Sequence, residues 1–114
     1  MIIQLNSDKN LTIRAEYENQ IKEKLNTELD RFSQHISRLE AHLADENGNK
    51  SGLDDKKCLL EARIEGRPPI AASDSAQNYD LAIDGAISKL KSKLISIIGK
   101  MKDKSIANQT TDMH

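Results

Sequence analysis

With 114 residues, 37% of them hydrophobic and 31% charged, the chain has the composition of one globular domain with a modest core. A formal net charge of -1 and a pI near 6.3 exclude a global cationic field, so any nucleic-acid surface must arise from uneven placement of charge. The single cysteine, Cys58, excludes an internal disulfide. No apolar run suits a signal peptide or the ~20 residues of a membrane span, and the expectation is a cytoplasmic protein.

Ile2 to Leu5, "IIQL", is short, β-branched and followed by the turn-forming "NSDKN", which predicts a first strand. From about Arg14, Tyr17, Ile21, Leu25, Leu29 and Phe32 recur every three or four residues, predicting an amphipathic helix of about five turns. "SRLEAHLA" then alternates, with Leu39, Ala41 and Leu43 on one face and Arg38, Glu40 and His42 on the other. "KKCLLEARIEG" alternates likewise, setting Cys58, Leu60, Ala62 and Ile64 against Lys57, Leu59, Glu61, Arg63 and Glu65.

Between these strands lies "ADENGNKSGLDDKKC", which looks like a calcium loop. Asp45, Asn47 and Asn49 would fill the first three ligand positions, but Lys50 stands where the loop needs glycine and Lys56 where it needs glutamate. The stretch therefore reads as a connector from Asp45 to Asp55. "GRPP" makes a second break, and "IAAS" a short fourth strand whose prolines suit a sheet edge. Asn78, with Asp80 behind it, is a fitting N-cap for a long last helix to about Asp103, with a stripe of Ile83, Ile87, Leu90, Leu94, Ile97 and Met101. Gly85 and Gly99 each weaken it slightly.

The order β-α-β-β-β-α, with one apolar face per strand and one stripe per helix, predicts an α+β domain over residues 1–104. It is a four-stranded mixed sheet with two helices on one face and the other face open. Residues 105–114 read as a flexible tail.

No paired acid and base marks a catalytic cleft: Glu16, Glu18, Glu23, Glu28 and Asp30 fit a solvated helix face, and no nucleophile elbow, phosphate loop or dinucleotide fingerprint occurs. His35 sits at a helix end and His42 on the outward side of its strand, while Cys58 points inward and packs as a small hydrophobe, so neither a metal nor a cofactor is expected. The feature with direction is charge. Between Gly85 and Lys104 the helix carries Lys89, Lys91, Lys93, Lys100, Lys102 and Lys104 against Asp103 alone. Lys89, Lys93 and Lys100 fall on one stripe off the apolar one. Helix-dipole preference and solubility account for that spacing as well as phosphate binding does. Lys56, Lys57, Arg63 and Arg67 add cations near the third strand. With one Phe and two Tyr, contact with a nucleic-acid backbone fits better than base stacking.

"DENGNKSGLDDKKCLLEARIEGRPPIAA" followed by "LAIDGAISKLKSKL" resembles the ribosome hibernation-promoting factor and ribosome-associated inhibitor A family in its short form, over about residues 2–104. The resemblance implies the same sheet-and-two-helices fold, like that of double-stranded-RNA-binding domains. It also implies a non-enzymatic, stress-related factor that binds ribosomal RNA of the small subunit and restrains translation, with no small-molecule substrate and no membrane. Carried over residue by residue, its RNA contacts fall on Lys89, Lys93 and Lys100, and then on Lys56, Lys57 and Arg63. The alternative is a protein-interaction module of the same fold, whose open sheet or strand edge binds a protein or a second copy of the chain.

Overall fold

Alternation along the strands decides which way the sheet faces, and in the computed structural model it does so with one interruption. The structure describes residues 1–8, 13–45 and 56–110, with side chains described as far as Lys100. The connector at 46–55 and the tail end at 111–114 lie outside these residues. The elements are β1 (Ile2–Ser7), α1 (Ala15–Glu28), a 3-10 turn (Asp30–Phe32), β2 (Ile36–Asp45), β3 (Lys56–Ile64), β4 (Ile70–Ala76) and α2 (Tyr79–Thr110). The sheet order is β1-β2-β3-β4. β1 runs parallel to β2 after the α1 crossover, and the two later pairs are antiparallel.

Leu39, Ala41 and Leu43 on β2 and Cys58, Leu60, Ala62 and Ile64 on β3 are buried beneath the helices, on the faces that alternation assigns to them. Ile36 is buried as well, although strict alternation from Leu39 would turn it outward. A bulge explains this. Ile36 pairs with Ile64 and Arg38 with Arg63, so Ser37 is the extra residue, and its hydroxyl donates to the Arg63 carbonyl at 3.2 Å.

α1 packs over β1, and α2 over β3 and β4. The helices run side by side in the same direction, tied by the Tyr17 hydroxyl donating to Asp80 at 2.6 Å, by the Lys24–Asp84 pair and by Lys91 on Glu28 at 3.0 Å. Burial first, and then the Asp80 carboxylate, push the Tyr17 hydroxyl above its usual range, so it stays a donor. Asn78 caps α2 as its sequence position predicts: its Oδ1 accepts from the Leu81 amide at 2.9 Å. α2 then continues to Thr110, past the end of its apolar spacing.

Along α2 the buried stripe is Ile83, Ile87, Leu90, Leu94 and Ile98, with Ala82 and Ala86 beside it. The stripe expected from spacing takes Ile97 instead. At about 100° per residue the two isoleucines flank the stripe's midline almost equally, so the neighbours decide. Ile98 turns to Phe32 behind the 3-10 turn, whereas Ile97 turns to the β3–β4 connection at Pro68 and Pro69 and is only half-buried. In that connection Gly66 takes φ +80° and the Arg67 amide donates to the Ile64 carbonyl at 3.1 Å, a turn that requires glycine at its third position.

Cys58 sits at the sheet's centre with 0% exposure, between Leu43 and Asp74 on the neighbouring strands. Burial, and secondarily the Asp74 carboxylate, push its thiol up to about 12. The attacking species, the thiolate, is therefore suppressed at neutral pH. A bulky thiol reagent should label the native protein at least about 100-fold more slowly than the urea-unfolded chain. Equal rates would mean that β3 is slipped by one residue. Because the folded thiol titrates above its ordinary value of 9.0, its contribution to stability is complete below about pH 9 and is lost as pH rises toward about 12.

Candidate nucleic-acid interface

Sheet register decides which of the predicted cations meet. On β3, Lys57, Glu61 and Arg63 face the open side, but Lys56 shares the parity of Cys58 and so belongs to the helix-covered side. Lys56 is paired with Asp45 at 2.9 Å across the mouth of the β2–β3 connection. Lys57 lies opposite Ala44 and Ser75, half-buried, about 20 Å from Arg63 at ~3.3 Å per residue. Arg63 instead lies directly opposite Arg38. The Arg38 guanidinium donates to Gln4 Oε1, and its Nε is 3.2 Å from Glu40 Oε1.

α2 leaves the end of β4 and returns along it, so its lysines meet that strand's outer edge. Lys89 Nζ donates to Asp74 Oδ1 at 3.0 Å and to the Ser73 carbonyl at 3.3 Å, and Lys93 Nζ donates to the Ala71 carbonyl. Both ammonium groups thus satisfy edge carbonyls that would otherwise be free to pair with another chain. Asp74 reaches this position by passing under α2 at Gly85. A Cβ at Gly85 would stand 1.6 Å from Asp74 Oδ2, whereas one at Gly99 would meet nothing within 4 Å. Gly85 is therefore a fitted contact rather than a simple weakness in the helix.

Farther along α2, Lys93 and Arg67 line one shallow groove with Pro68, Pro69, Ile70 and Ile97. Arg63 ends β3 just before this turn, and Lys100 follows Ile97 by three positions on α2. The turn thus draws Arg63, Arg67, Lys93 and Lys100 to one end of the molecule. Arg63, Arg67 and Lys100 are exposed and form no ion pair among the described residues. The predicted set accordingly divides: Lys93 shares a groove with Arg67, Lys100 follows farther along α2, Arg63 lies at the same end of the sheet but on its open face, Lys89 is held by Asp74, and Lys56 and Lys57 stand at the far end. Arg67 and Arg38 are the additions. The signal for Arg67 is its place in "GRPP", a turn that carries the end of β3 back toward the last helix.

A mixed sheet backed by two parallel helices, with unpaired cations gathered at one turn, defines a small α+β domain with a cationic end. The sequence profile of the family described as Sigma 54 modulation protein / S30EA ribosomal protein matches residues 5–102, and the chain belongs to that family. This is the ribosome hibernation family that its hairpin and last helix resemble. Two solved structures share the fold. A ribosomal subunit interface protein from Coxiella burnetii aligns with TM-score 0.70 and 17% identity over 87% of this chain and 99% of its own. The N-terminal domain of Protein Y from Thermus thermophilus aligns with TM-score 0.65 and 18% identity over 85% and 99%. No curated protein sequence matches significantly. No described helix is long and apolar enough to cross a membrane.

Proposed function

We propose that this chain is a non-enzymatic, ribosome-associated hibernation factor of the cytoplasm that docks on phosphates of small-subunit ribosomal RNA. Its docking surface is the β3–β4 turn and the adjoining stretch of α2. The observation that supports the reading is the groove that Arg67 shares with Lys93, with Arg63 and Lys100 at the same end of the molecule; Arg63, Arg67 and Lys100 are exposed and in no ion pair among the described residues. Guanidinium and ammonium groups in that state exchange water for phosphate without first breaking an ion pair. Membership of the family supports the ribosome as the source of that phosphate. Lys89 joins such a surface only by giving up Asp74, and Lys56 and Lys57 serve only a contact long enough to span the sheet.

Sedimentation tests the reading directly. Purified protein mixed with small subunits at low salt should co-migrate with them through a gradient and remain at the top when the salt is raised. Failure to co-migrate at low salt would sink it. If the free protein then eluted from gel filtration at twice its mass, the self-association alternative would replace it.

A further inference from the structure

The open face of the sheet carries a second constellation, unrelated to the cationic end. Glu40 and His42 are two residues apart on β2 and share that face, and Glu61 on β3 lies directly opposite Glu40. One donor atom from each lies within 4.8 Å of the other two, and all three residues are half-buried. His42 Nε2 is 3.3 Å from Glu61 Oε1 and 3.8 Å from Glu40 Oε2. Arg38 Nε approaches the other glutamate oxygen, Glu40 Oε1, which leaves Oε2 turned to the imidazole.

Two features of this arrangement ask for a cation. Like charges directly opposite each other across a strand pair destabilise a sheet, and Glu40 and Glu61 are such a pair. In addition, Nε2 is shielded from water and makes no hydrogen bond, although two carboxylates are within 4 Å of it. Glu61 Oε1 is close enough to accept from Nε2 and yet does not, so it lies off the nitrogen's axis, and Glu40 Oε2 is too distant to accept. A shared proton requires an acceptor on the axis, whereas a metal ion occupies the axis itself and takes its other ligands from either side. Two donors about 2.0–2.1 Å from one tetrahedral ion are about 3.3 Å apart. That is the His42–Glu61 separation; Glu40 Oε2 has to approach His42 Nε2 by about half an ångström and to close on the Glu61 oxygen, which lies within 4.8 Å of it.

We infer that Glu40, His42 and Glu61 bind one divalent cation of the zinc class on the open sheet face. The imidazole favours zinc or cobalt over calcium and magnesium, which take oxygen ligands. Three protein ligands leave the fourth position facing solvent. Asn6 acts as a positioning residue: its amide stands 3.5 Å from His42 Nδ1. With the metal on Nε2 the proton sits on Nδ1, and for Asn6 to accept it through Oδ1 the amide has to turn over and give up the bond it accepts from Gln4 Nε2 at 3.3 Å. The sequence conceals this set because His42 and Glu61 become neighbours only through the β2–β3 register.

Titration of the full-length chain with zinc chloride in a calorimeter should give one site per chain, and magnesium chloride should give none. Cobalt in place of zinc should show the intense visible absorption of tetrahedral coordination. His42→Ala and Glu61→Gln should each weaken zinc binding by at least about 100-fold, and Asn6→Ala by about tenfold, because even outer partners of ligating histidines contribute that much. His35→Ala and His114→Ala should bind as the unmodified chain does. Glu61→Gln preserves shape, so its unchanged circular dichroism with a lost cobalt spectrum separates ligand loss from misfolding. Absence of zinc binding at millimolar metal, or undiminished binding in both His42→Ala and Glu61→Gln, would overturn the assignment.

Discussion

Replacing Arg63, Arg67 and Lys100 together by glutamine should flatten the salt dependence of binding to small ribosomal subunits by about 2 to 3 in the slope of log affinity against log salt. Each phosphate contact contributes roughly 0.7 to 0.9 to that slope through released counterions. Lys89→Gln alone should change it by far less than one contact, because Asp74 already holds that ammonium at 3.0 Å. None of the four side chains belongs to the buried core, so all variants should melt near the unmodified protein. The two slopes, measured on the same subunits, separate the cationic end from the helix stripe as a whole. If Lys89→Gln flattens the slope as much as the triple variant, the β4-edge lysines carry the contact and the assignment to the turn is wrong. If neither flattens it, both are solvated faces.

Gly85→Ala and Gly99→Ala, the same substitution in the same helix, should move stability in opposite directions. Alanine gains about 1 kcal/mol over glycine in a helix interior. At Gly99, where a Cβ meets open space, that gain should appear largely undiminished. At Gly85 the new Cβ would overlap the Asp74 carboxylate, so that group has to rotate away, and α2 has to give by a few tenths of an ångström where the Asp74 β-carbon remains at 3.0 Å. Overpacking of this kind costs about 1–3 kcal/mol, and displacement of Asp74 also frees Lys89. The net expectation for Gly85→Ala is a loss of about 1–2 kcal/mol, read as a lower midpoint in urea with an unchanged slope. In an Asp74→Ala background much of that loss should disappear, because only the contact with the β-carbon, at 3.0 Å, remains. Equal midpoints for Gly85→Ala and Gly99→Ala would show that α2 does not approach β4 as described.

What the sequence makes legible is whatever depends on period and punctuation. Cys58, Leu60, Ala62 and Ile64 alternate and are buried together, Asn78 caps α2, and the prolines before β4 mark an edge strand. Errors arise where two elements meet. Ile36 is buried through a bulge at Ser37 that no spacing announces, and Ile98 displaces Ile97 because Phe32 lies on its side of the helix. The candidate site follows the same division. That α2 is lysine-rich can be counted from the chain, but that Lys89 and Lys93 turn to β4 while Arg67 comes round to meet Lys93 depends on the return of the helix along the strand. Charge is a property of residues, whereas availability of charge is a property of their neighbours.

The parallel pairing of β1 with β2 bears on how the chain acquires its fold during synthesis. Antiparallel β2, β3 and β4 follow one another along the chain and can pair in that order, and α2 can then settle on them. β1 finds its partner only across the α1 crossover, from Ile2 to Arg38, a closure whose entropy must be met before any ladder bond forms. Emerging N-terminus first, Ile2–Ser7 has to wait until β2 has been synthesised, exposed for all of that interval. Its own composition moderates the hazard. Gln4 and Asn6 interrupt the apolar side chains, so beyond the exposed Ile2 the waiting segment has one sticky face, Ile3 and Leu5, and it is short. The strand with the longest wait for its partner is thus one whose sequence tolerates the delay.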